Sequence, residues 1–150
     1  MGYTIMLLIL FRLLWGFIGS HYARFSEFLV SPMESLKYTR ELLTGKVRRY
    51  LGHNPAGATM IVFLMLAIFI TTLSGICLIA LEGRGPLSNT FVVSLSGGML
   101  KRIHELSADL SIVLVIIHVL GVMYSSIIGK ENLSKSMLTG LKEEHLANND

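Results

Sequence analysis

The sequence predicts an all-α membrane protein: three transmembrane helices, with a short amphipathic surface helix between the first two. Three observations carry this reading. The 150 residues are 52% hydrophobic and 15% charged, with a mean hydropathy of +0.61, which is too apolar for an ordinary soluble domain. The apolar residues gather into three long segments, each close to the roughly 20 residues that cross about 30 Å of hydrocarbon. The basic residues are also distributed unevenly among the connectors, as they are in membrane proteins of fixed orientation.

The first span covers residues 2–20 and is interrupted only by Arg12. A secretory signal peptide is the competing reading. No basic region precedes the segment, however, and Trp15-Gly16 followed by an aromatic, charged stretch makes a poor cleavage site. The connector, residues 21–56, contains Ser31-Pro32, an N-cap followed by a proline suited to the first helical turn. Met33, Leu36, Leu43 and Val47 then share one face, as expected of a helix lying along the membrane surface. Asn54-Pro55 repeats the cap-then-proline form before the second span, residues 57–81, and Tyr50 to Leu81 is free of Asp, Glu, Lys and Arg.

Gly83, Gly85 and Pro86 open the loop of residues 82–103, and Ser96-Gly97-Gly98 punctuates it before the last helix. The third span covers 104–128, its uncharged part beginning at Leu110. In the tail, 129–150, Asn132 is placed to cap a short amphipathic helix with Leu133, Met137, Leu138 and Leu141 on the lipid side. With no internal repeat, residues 1–150 read as one membrane domain.

Orientation follows from charge. The first connector carries Arg24, Lys37, Arg40, Lys46, Arg48 and Arg49, and the tail adds Lys130, Lys135 and Lys142. The second connector holds Arg84, Lys101 and Arg102. Nine against three places the first connector and the C-terminus in the cytoplasm and residues 82–103 outside. The N-terminus then lies outside, already within a hydrophobic helix, which reads as a chain whose beginning is missing.

Few residues are available for chemistry. Cys77 is the single cysteine, so an intrachain disulfide is excluded, and no Cys-x-x-Cys-His pattern exists for covalent haem attachment. There is no basic patch with interleaved aromatics for nucleic acid, no phosphate-cradling glycine loop and no Ser/His/Asp order. An enzyme with its own substrate therefore has little support. His104 and His118 stand out. Fourteen residues is almost four helical turns, so both imidazoles fall on nearly the same face, about 21 Å apart along the axis. Histidine inside a membrane span is costly without a partner, and two on one stripe suggest two stacked cofactor sites. Zinc lacks further Cys, Asp or His at short spacing to complete a tetrahedron, whereas haem needs only one or two axial imidazoles, which can come from different helices.

Arg12 pairs with a haem propionate or with polar backbone on an adjacent helix, or else snorkels to the cytoplasmic interface. Glu105 and Asp109 suit a helix N-terminus without any further role. His21 and His53 are interfacial, and His145 lies in the polar tail. Gly16 and Gly19 permit close approach of another helix or a flat macrocycle. Cys77 reads as a small packing residue.

Assembled in order, these motifs resemble a known family. Phe11-Arg12-Leu13-Leu14-Trp15-Gly16-Phe17-Ile18-Gly19-Ser20, with Tyr22-Ala23-Arg24-Phe25, is similar to the second-helix exit of bacterial cytochrome b561 and nickel-hydrogenase b-type cytochrome subunits. Gly52-His53-Asn54-Pro55 resembles the entry to their third helix. His104-Glu105, His118-Val119, Glu131-Asn132-Leu133 and Met137-Leu138-Thr139-Gly140 resemble their fourth helix and tail.

The resemblance implies three helices of a four-helix di-haem bundle in the bacterial inner membrane. Such a bundle passes electrons between the quinone pool and a partner such as a hydrogenase or a c-type cytochrome. It further implies that His104 serves as axial ligand to the iron of an outer haem b and His118 to that of an inner one. The sequence opens where the family is already within its second helix, so the facing histidines are expected from a misplaced start or from a second chain. A remnant of the fold acting as a haem-free membrane anchor or interaction subunit is the alternative.

Overall fold

The computed structural model describes residues 1–28, 31–44 and 55–128. Within them every regular element is helical, with no strand. The order is α1 (Gly2–Ile18), a 3₁₀ turn (His21–Ala23), α2 (Phe25–Phe28), α3 (Pro32–Leu43), α4 (Pro55–Leu81), a second 3₁₀ turn (Phe91–Ser94) and α5 (Gly97–Ile128). Two of these, α4 and α5, are long and apolar enough to cross a membrane. The expected first span becomes α1, an apolar helix of 17 residues, or about 25 Å at 1.5 Å per residue. It stops at Gly19, whose N–H makes a last bond to the Trp15 carbonyl at 2.8 Å while its backbone turns extended. Arg24 Nε donates to the freed Gly19 carbonyl at 2.8 Å, satisfying the helix end from the connector.

The expected cap at Ser31 forms. Ser31 Oγ accepts from the Glu34 N–H at 3.2 Å, and α3 begins at Pro32. Helix α4 begins at Pro55, which is fully buried beside Ala58. Ser35 Oγ bonds the Pro55 carbonyl at 3.1 Å and Thr59 Oγ1 at 2.6 Å, so α3 is fastened to the first turn of α4. Ser35 and Tyr38 face inward, while Met33 and Leu36 are exposed, as the surface-helix pattern requires. At its other end α4 closes in a Schellman turn. Gly83 N bonds Ala80 O at 3.0 Å and Arg84 N bonds Ile79 O at 3.1 Å, with Gly83 in the left-handed region at φ +74°.

The loop then packs back. Val92 is buried against Cys77 and Ala80, with Leu87 and Leu100 beside them. Helix α5 starts two turns before the expected span, directly after Ser96, because the glycine pair joins the helix instead of preceding it. It returns antiparallel to α4. Helix α4 is therefore the central element, touched by α1, α3, α5 and the Phe91–Ser94 turn. The expected tail helix from Asn132, and residues His53, Asn54 and His145, lie outside the described residues.

Candidate functional site

Helix α5 carries a single less-exposed stripe: Leu100, His104, Ser107, Ser111, Leu114, His118, Val122 and Ser125. The three- and four-residue steps between them define one helix face. Both histidines lie on it, as the fourteen-residue spacing requires. The surroundings of the two differ.

His104 sits against α4. Its Nδ1 lies 2.9 Å from the Thr71 carbonyl oxygen and 3.2 Å from Ser74 Oγ. A carbonyl only accepts, so Nδ1 carries the proton and the Nε2 lone pair is left for another partner. The imidazole reaches α4 because position 75 is glycine: a Cβ there would lie 3.0 Å from His104 Cε1 and 3.3 Å from Nδ1. Beside it opens a cavity of about 670 Å³ bounded by Met1, Gly2, Tyr3 and Ile5 of α1, by Thr71, Thr72 and Gly75 of α4, and by His104, Ala108 and Ser111 of α5. That volume lies within the range of cofactor pockets, and the lining is apolar with a few polar groups. Below His104, Thr71 Oγ1 donates to Ser107 Oγ at 2.9 Å, and Ser111 Oγ donates to the Ser107 carbonyl at 2.7 Å. The Thr71–Ser107 bond thus joins the two helices at the level of the cavity, while the Ser111 bond stays within α5.

His118, four turns further along α5, is partly buried and makes no hydrogen bond among the described residues. Arg12 turns away from the cavity toward the end of α1. Its Nη1 donates to the Ala23 carbonyl at 3.3 Å, and its guanidinium carbon lies 5.3 Å from the Phe25 ring centre. Phe25 also explains Gly16, where a Cβ would collide with the ring. The close approach expected at Gly16 is therefore made by the connector folding back over α1. Glu105 and Asp109 are exposed, Glu105 lying 3.8 Å from Lys101 Nζ one turn earlier. His21 is exposed in the first 3₁₀ turn, and Cys77 is buried packing. Among the described residues, no group of three or more His, Cys, Asp or Glu could hold a metal ion.

Residues Thr71, Ser74 and Gly75 were not singled out by sequence reasoning. The signal was present as register. Ser74 lies seven positions before the end of α4 and His104 seven after the start of α5, so an antiparallel pair joined by the loop brings them level.

The family model described as prokaryotic cytochrome b561 matches residues 1–140. The chain belongs to that family. It is 28% identical over 156 residues to the "Probable Ni/Fe-hydrogenase B-type cytochrome subunit" of Azotobacter vinelandii, and equally to that of Azotobacter chroococcum mcd 1. Each match covers 93% of this chain and 64% of the relative. The protein of the same name from Cupriavidus necator is 24% identical, over 87% of this chain and 59% of its own length. The chain thus spans somewhat under two thirds of the curated relatives it matches. No solved structure matches. Membership in the b561 family implies a membrane-integral b-type cytochrome with haem b as cofactor. The residues fit such a group at His104, where an imidazole with a free Nε2 lines a roomy, largely apolar cavity.

Proposed function

We propose that the chain is the membrane b-type cytochrome subunit of an electron-transfer complex. It would link the quinone pool to a redox partner such as a hydrogenase or a c-type cytochrome. His104 and His118 are the axial ligands this chain contributes to two haems b, outer and inner. The haem supplies reversible one-electron transfer; the protein holds, spaces and insulates it. The observation that carries the reading is the His104 site, with Nδ1 bonded to the Thr71 carbonyl and Nε2 left basic beside the cavity. The shared stripe extends the same role to His118. Among the described residues that line the cavity His104 is the one imidazole, and a second axial ligand would come from outside that lining.

The topology proposed with it has α1, α4 and α5 as the three spans of a four-helix di-haem bundle in the bacterial inner membrane. Residues 21–56 and 129–150 face the cytoplasm and residues 82–103 the outside. Support comes from the first turn of α1, where Tyr3 lies against Gly85 of the outer loop. At the other end α3 presents Met33 and Leu36 for the lipid interface. Arg12 reaches back to the connector and serves the inner interface, where its charge would be available to an inner haem propionate.

The test is a reduced-minus-oxidised spectrum of the protein purified from haem-replete membranes. The expected result is b-type bands that weaken on His118→Ala. An unchanged spectrum removes His118 from the ligand set. A wild-type protein without Soret absorbance would replace this reading with that of a haem-free anchor.

A further inference from the structure

We infer that Ser74 and Gly75 of α4 are positioning residues for His104, presenting Nε2 as the ring nitrogen that ligates iron; this rests on the cytochrome reading above. The Ser74 hydroxyl donates its own proton to the helix, to the Ile70 carbonyl at 2.7 Å with the Thr71 carbonyl at 3.0 Å. What it turns toward His104 Nδ1, 3.2 Å away, is therefore a lone pair. The Thr71 carbonyl at 2.9 Å is an acceptor as well. Two acceptors at one nitrogen fix the Nδ1–H tautomer.

Gly75 completes the arrangement from the side. Its missing side chain leaves the space that the Cε1 edge of the ring occupies, so the ring lies against the α4 backbone and not one side chain further out. Orientation and tautomer are thus set by α4 alone, before any ligand arrives. Acceptors on the far nitrogen also make an imidazole a more electron-rich ligand and hold its ring orientation. Electron donation to the iron favours its oxidised form, so loss of an acceptor raises the midpoint potential of that haem.

Two measurements on the full chain test this. In ¹⁵N NMR of the histidine-labelled, haem-free protein in micelles, His104 should show the Nδ1–H tautomer, and Gly75→Val should mix it with the Nε2–H form. A wild-type His104 in the Nε2–H form overturns the inference whatever the haem content. In a redox titration of the haem-loaded protein, Ser74→Ala should raise one midpoint and leave the other in place, with haem content retained. Ser74→Thr, which keeps the hydroxyl, should restore it, and Gly75→Val should lose the component that responds. Unmoved midpoints in Ser74→Ala together with full haem in Gly75→Val overturn the positioning role. Failure of the wild type to take up haem overturns the cytochrome reading and the iron-ligating role, while the tautomer result still decides the positioning claim.

Discussion

His104 and His118 share one residue type and one stripe of α5, yet α4 treats them differently. At the level of His104 it offers a carbonyl, a hydroxyl and a glycine, and a cavity adjoins. Following the antiparallel register, His118 comes level with about Met60, where Met60-Ile61-Val62-Phe63 supplies no side-chain acceptor. Thr59, close to that level, is engaged with Pro55 and Ser35. His104 is therefore oriented by this chain's own packing, whereas no hydrogen bond among the described residues orients His118. A shared helical face establishes where two side chains point, and the opposing helix decides which of them is held in one orientation.

The largest effect that can break this comparison is haem loss. His104→Ala and His118→Ala should each remove one component of a two-haem spectrum, roughly half of the bound haem if each holds one axial position. Pyridine haemochrome content per protein measures it, and equal, full occupancy in both variants would leave neither histidine as a ligand. Next in size is Gly16→Leu. A side chain there collides with Phe25 and displaces the ring over which Arg12 lies. Overpacking of this kind costs about 1–3 kcal/mol. Stability in detergent should fall while the outer haem's potential stays fixed, because the strain lies at the far end of α1.

Smaller still is Thr71→Val, which removes the hydroxyl bond to Ser107 but keeps the carbonyl that faces His104. Interhelical hydrogen bonds in membranes average about 0.6 kcal/mol, and a loss near that value is expected by reversible unfolding in mixed micelles. A collapse of haem binding would instead tie the hydroxyl ladder to the site. The smallest effect belongs to Arg12→Gln. Arg12 bonds the Ala23 carbonyl and lies over Phe25, away from the cavity, so haem content and both midpoints should hold; a selective shift of one component would assign Arg12 to a propionate.

Much of this was legible before any coordinates. Periodicity and charge gave the helices, and Ser31-Pro32 and Asn54-Pro55 marked two starts, of which the Ser31 cap and the Pro55 helix start lie within the described residues. The fourteen-residue spacing placed both histidines on one face, and the stripe on α5 agrees. Three features escaped for physical reasons. The start of α5 was set too late because glycines after a serine were read as loop, although Ser96 can cap them into a helix. Gly16 was assigned to an approaching helix or macrocycle, because nothing local predicts that Phe25, nine residues on, folds back over it. Thr71, Ser74 and Gly75 looked like minor polarity within an apolar span. Their meaning lies in the register between two helices, which becomes visible only when the bounds of both helices and the way the loop packs back between them are known.

The central claim is that one stripe of α5 supplies axial ligands to two separate haems. A redox titration of the wild type beside His104→Ala and His118→Ala tests it most directly. The account predicts two b-type components with distinct midpoints, one absent from each variant and the other unshifted. Two components surviving in either variant, or both vanishing together with the fold intact, would contradict it.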